Sequence, residues 1–140
     1  MEVLGNMRQP RILLIEDDES LSRVIEDAIK RKQWNVRCLN NGFQIVTEVG
    51  RFDPDLILLD INMPGFRGDA AARLLTQVSK KHGTKQTPIM VLSALDDRRL
   101  QTISENIGAI GYIQKSQSID TVVTQVQNAL VALGLLRSTA

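Results

Sequence analysis

The chain has 140 residues, 43% of them hydrophobic and 24% charged, which is the balance of one ordinary globular domain and not of a disordered segment. Its net charge of +1 draws it to neither nucleic acid nor an anionic membrane surface, so no direct contact with either is expected. One cysteine, Cys38, and one histidine, His82, exclude an internal disulfide and a structural zinc site. No charged-then-apolar leader opens the sequence and no run of 18 apolar residues occurs in it, so the expected location is the cytoplasm.

Met1 to Pro10 lacks periodicity, and its first eight residues are expected to form a loose lead-in. Arg11 to Ile15 is a short apolar run that ends at the acids Glu16-Asp17-Asp18-Glu19. From Ser20 the residues Leu21, Val24, Ile25, Ala28 and Ile29 fall at helical spacing. Asp18 or Ser20 serves as N-cap, and Lys30-Arg31-Lys32 complement the negative end of the helix dipole. A short strand, Val36 to Leu39, leads through the turn Asn40-Asn41-Gly42 to a second helix ending near Gly50. The loop Phe52-Asp53-Pro54 delivers the chain to a strand at Leu56 to Leu59. This run closes on Asp60 and breaks at Met63-Pro64-Gly65. A third helix is expected over Asp69 to Lys81, with Ala71, Leu74, Leu75 and Val78 on one face. A strand at Ile89 to Leu92 ends at Ser93, a helix runs from Asp96 to Asn106, and a strand at Ile110 to Ile113 ends near Lys115. A last helix, capped by Ser118 or Asp120, reaches Leu133. Strand and helix alternate five times with short connections, and right-handed crossovers then require one parallel five-stranded sheet with helices on both faces.

A parallel sheet brings all its carboxyl ends to one edge, where open α/β folds place their ligands. That edge receives Glu16 and Asp17 from the first strand, Asp60 from the third, Ser93 from the fourth and Lys115 from the fifth. Taken singly, each has a bland reading: a solvated helix start, a turn acid, a surface lysine, a serine of no account. Together they put several carboxylates in one pocket, where mutual repulsion calls for a cation. With oxygen donors and no imidazole or thiolate, the natural cation is Mg²⁺. The chemistry that suits this set is phosphoryl transfer onto a carboxylate. Asp60 attacks, the metal and Lys115 offset developing charge, and Ser93 holds an oxygen.

The motifs ILLIEDD, DLILLDINMPG, VLSA and GYIQK, in this order over Gln9 to Leu133, resemble the receiver domain of bacterial two-component response regulators. The resemblance implies a flavodoxin-like (βα)5 doubly wound sheet of order 2-1-3-4-5. It implies Asp60 as phosphoacceptor and Mg²⁺ ligand, Asp17 as direct Mg²⁺ ligand, Glu16 assisting through water, and the main-chain carbonyl of Asn62 as the third protein ligand. It casts Ser93 as the hydroxyl that moves to the phosphoryl group, Lys115 as its charge partner, and Tyr112 as the aromatic that follows. The phosphoryl donor it implies is a histidine kinase or a phosphotransfer protein, and the output is binding to a downstream protein. Catalysis is confined to the domain's own phosphotransfer and autodephosphorylation, so the chain is not expected to be a turnover enzyme.

Two positions depart from the family pattern. Lys115 is followed by Ser116 where family members carry a cis proline, and a non-proline cis bond costs about 2.5–4 kcal/mol, so a trans loop is expected here. Ile110-Gly111 stands where paired acids precede the tyrosine in one dimerising branch, which disfavours that charge-based mode. The receiver is expected to span residues 9–133, with an extension over 134–140. Thr121 to Leu136 carries no charge, so the last helix with Leu135 and Leu136 is expected either to be a partner or self-association surface or to fold over its own domain. Three rival functions are a phosphorylation-independent scaffold, an aspartyl phosphatase and a flavin carrier. Asn62 stands where such a phosphatase has its second acid, and the acidic first turn repels a cofactor phosphate.

Overall fold

A computed structural model describes residues 8–63, 66–67 and 87–138. Five parallel strands, β1 (Arg11–Ile15), β2 (Asn35–Leu39), β3 (Leu56–Asp60), β4 (Ile89–Ser93) and β5 (Gly111–Gln114), form one sheet in the order β2-β1-β3-β4-β5. β3 and β4 are buried at every position, as the continuous apolar runs require of strands covered on both faces. Helices α1 (Glu19–Arg31), α2 (Ile45–Phe52), α3 (Asp97–Ile107) and α4 (Ile119–Ala132) are the four among the described residues. The helix expected over Asp69 to Lys81 lies outside the described residues, as does the Pro64-Gly65 turn. Just past β3, Asn62–Met63 and Phe66–Arg67 pair in a two-residue antiparallel ladder.

Alternation along the strands divides the core. Ile12, Leu14, Leu56 and Leu58 face Ile25 and Ile29 of α1 and Val122, Val126 and Leu130 of α4. On the other side Leu13, Ile15, Ile57 and Leu59 meet Ile45 of α2, while Val91 packs with Leu100 of α3. Asp18, Asp96 and Ser118 cap α1, α3 and α4, each accepting from a backbone N–H three residues on. Register brings Ile15 beside Leu39 and Leu59, Asp60 beside Leu92, and Ser93 beside Gln114. The five strands therefore end together.

Several local expectations are corrected. Val24 is 48% exposed whereas its neighbour Ile25 is 1% exposed, so the buried stripe of α1 is narrower than the spacing predicts. α2 runs through Gly50 to Phe52, because Phe52 packs on the core and Asp53, at φ 52°, takes the left-handed cap. β5 starts at Gly111, leaving Ile110 exposed. Arg8, placed in the loose lead-in by sequence, is held bidentately by Asp55 at 2.7 Å. Leu135 and Leu136 pack on their own domain. Gly134 (φ 76°) turns the chain back, Leu135 N–H donates to Leu130 O at 2.9 Å, and both leucines are half-buried against the domain's own core.

Candidate functional site

Asp60 closes β3 and Glu16 follows β1, and each is only 1% exposed. Asp17, the next residue, is exposed. The three offer carboxylate oxygens that all lie within 4.8 Å of one another, and they are the one such acidic, histidine or cysteine group among the described residues. Glu16 is held from several sides. Its backbone N–H donates to Leu39 O at 3.0 Å, and its Oε1 accepts from the Asp18 N–H at 3.2 Å.

Lys115 enters from β5. Its backbone N–H donates to Ser93 O at 2.8 Å, which extends the β4–β5 ladder and fixes the lysine at the pocket rim. The Nζ lies 2.9 Å from both Glu16 oxygens and 3.1 Å from Asp60 Oδ2. All peptide bonds of the described residues are trans, Lys115–Ser116 included, so the expected trans loop is present and the lysine still spans the two acids. Burial pushes the Glu16 carboxyl up, the bond to Lys115 pulls it down and the Asp60 charge raises it, leaving it at about 7. Burial lowers the Lys115 ammonium, but its contacts with Glu16 and Asp60 outweigh this and it ends above the ordinary lysine value.

Among the described residues, three carboxylates gather around one ammonium. The donors are all oxygen, and exposed Asp17 opens the cluster to water. A hydrated divalent cation of the Mg²⁺ kind fits this set. Asn62 begins the short ladder two residues past Asp60. Ser93 is fully buried at the end of β4, with its Oγ accepting from the Leu95 N–H at 3.2 Å. Tyr112 is half-buried beside Leu95, Ile103 and Ile107, so it packs on α3 and the loop that Ser93 opens.

The sequence reading overlooked Gln114. Its Nε2 donates to Leu95 O at 3.2 Å, tying β5 to the loop between β4 and α3. Its position one residue before Lys115 at the strand edge is the only signal the sequence holds.

These features define a doubly wound α/β domain with an acidic, lysine-bridged pocket at the carboxyl edge of its sheet. The chain belongs to the response regulator receiver domain family, whose model matches residues 12–127. It is 31% identical over 117 residues to the sensory transduction protein BceR of Bacillus subtilis, covering 84% of this chain and 48% of BceR. With the response regulator protein GraR of Staphylococcus saprophyticus it shares 27% over 116 residues, 83% of this chain and 49% of GraR. The chain thus spans about half the length of the curated relatives it matches. Among solved structures, the BeF3-activated N-terminal receiver domain of Klebsiella pneumoniae RstA superposes with a TM-score of 0.73 at 28% identity, over 86% of this chain and 97% of that one. The chemotaxis protein CheY4 of Vibrio cholerae superposes at 0.75 and 20% identity, over 86% of this chain and 98% of CheY4, a likeness of fold. No described helix is long and apolar enough to cross a membrane.

Proposed function

We propose that this domain is a phosphorylation-dependent switch that accepts a phosphoryl group on Asp60 from a phosphohistidine of a partner kinase or phosphotransfer protein. The observation that carries this reading is the convergence of Glu16, Asp17 and Asp60 with Lys115 spanning two of them. An Asp60 carboxylate oxygen attacks phosphorus, the phosphorus–nitrogen bond to the donor imidazole breaks, and the imidazole leaves with the electron pair. Lys115, already against Asp60, offsets charge on the transferred oxygens, and the Ser93 hydroxyl donates to one of them. Asp17, Asp60 and the Asn62 carbonyl would hold Mg²⁺, with Glu16 acting through water. When bound, this cation neutralises charge on the phosphoryl oxygens.

The output is a population shift. Ser93 moves towards phosphorylated Asp60, and Tyr112 with the adjoining α3 face repacks to change affinity for a downstream protein. The domain's catalysis is limited to its own phosphorylation and autodephosphorylation, in a cytoplasmic setting. Incubation with Mg²⁺ and acetyl phosphate, followed by intact mass under conditions that preserve acyl phosphates, tests the reading. One phosphate-sized adduct that Asp60→Asn abolishes supports it; no adduct on the wild-type chain overturns it and favours a phosphorylation-independent scaffold.

A further inference from the structure

We propose that Gln114 is a latch that restrains the loop leaving Ser93 and so sets how readily the domain switches, an inference that rests on the role given to Ser93 above. Ser93 and Gln114 are register partners on β4 and β5. Between Ser93 and the α3 cap Asp96 lie only Ala94 and Leu95, and the Leu95 main chain is gripped on both sides. Its N–H donates to Ser93 Oγ at 3.2 Å, and its carbonyl accepts from Gln114 Nε2 at 3.2 Å. A carbonyl only accepts, so the Gln114 amide must present its NH2 group there. The loop then enters α3 directly, where Asp96 accepts from the Arg99 N–H at 2.9 Å. The Leu95 side chain packs in the same cluster as Ile103 and Tyr112.

Swinging the Ser93 hydroxyl towards Asp60 takes the acceptor away from the Leu95 N–H. The loop must then rearrange, and Gln114 holds it through the neighbouring carbonyl. The half-buried Gln114 bond therefore weights the equilibrium towards the arrangement seen here. A side chain of similar length that cannot donate leaves the strand in place and removes this weight. Loss of one such bond corresponds to a change of about fivefold in the switching equilibrium.

The test uses the full chain as wild type, Gln114→Met and Gln114→Glu, each with Mg²⁺. Two quantities are measured: hydrogen exchange over Ala94 to Asp97, and the half-saturating concentration of beryllofluoride, followed on the ring signals of Tyr112, the single tyrosine of the chain. Both variants are expected to exchange about fivefold faster over this loop and to half-saturate at about fivefold lower beryllofluoride, while still forming the acetyl phosphate adduct. Agreement with wild type within twofold in both measurements overturns the latch and leaves the Asp60 reading intact. A half-saturation that rises instead marks ordinary loosening of the fold and also overturns it. If wild type takes neither beryllofluoride nor phosphate, the Asp60 reading fails, and the exchange comparison alone decides whether Gln114 restrains the loop.

Discussion

Glu16 and Lys115, 99 positions apart in the chain, meet in an ion pair in which the ammonium lies 2.9 Å from each carboxylate oxygen. The lysine reaches on to Asp60 at 3.1 Å and so stands between the two buried acids of the pocket. It offsets the charge of both acids, and a divalent cation drawn to the same oxygens would have to compete with it.

Replacing this lysine therefore has two opposite effects. Lys115→Met leaves Glu16 and Asp60 without the ammonium between them, and the metal-free protein should lose up to about 3 kcal/mol of unfolding free energy. With the competitor gone, Mg²⁺ should bind more tightly than to wild type. Urea unfolding in a chelator and calorimetric titration with Mg²⁺ measure the two effects. Equal Mg²⁺ affinity in both proteins would show that Lys115 does not compete for the acids.

Mg²⁺ should also stabilise the fold, since the three acids converge only when the strand ends are assembled. At a concentration a hundredfold above its Kd the gain is about 2.7 kcal/mol, read as a rise in Tm that a chelator reverses. Asp17→Asn and Asp60→Asn should each shrink the rise. A Tm indifferent to Mg²⁺ would mean that the cluster binds no divalent cation.

Cys38 supplies a pH-dependent marker away from the pocket. Burial pushes its thiol up to about 11, with the Glu26 carboxylate, 3.4 Å from Sγ, adding to the rise. The folded state holds this proton more tightly than the unfolded chain, whose thiol titrates near its ordinary value. Its contribution to stability is complete below the unfolded pKa and is lost as pH rises towards 11. Alkylation of the native protein at pH 8 should be much slower than in denaturant and should accelerate only above about pH 10. Native and denatured rates that match at pH 8 would contradict this.

Two adjacent residues of α1 should respond very differently to truncation. Ile25→Ala empties a site that is 1% exposed and should cost about 3 kcal/mol. Val24→Ala alters a side chain that is 48% exposed and should cost no more than about 0.5 kcal/mol. Denaturant unfolding of both variants checks the contrast, and similar losses would place Val24 in the core.

The three central strands and the acids at their ends are legible in the chain's own pattern. A strand covered on both faces must be apolar throughout, so RILLI, LILL and IMVL announce themselves, and the polar residue that ends each run lies at the carboxyl edge. The placement of Glu16, Asp17, Asp60 and Ser93 at one edge follows from that pattern, whereas the class of the domain was carried by the resemblance of the motifs ILLIEDD, DLILLDINMPG, VLSA and GYIQK. What these groups touch depends on contacts between elements remote in the chain. Helical spacing is a property of one segment and cannot distinguish Val24 from Ile25, because their burial depends on where the sheet and α4 lie. Nor does local propensity carry α2 through Gly50, since the gain comes from Phe52 reaching a core built by other strands. The same holds for Leu135 and Leu136, which are apolar enough for a partner but lie against their own domain once Gly134 turns the chain. Gln114 is the clearest case. Its role depends on a carbonyl 19 positions away that strand register brings within 3.2 Å, and no property of a glutamine at a strand end encodes that distance.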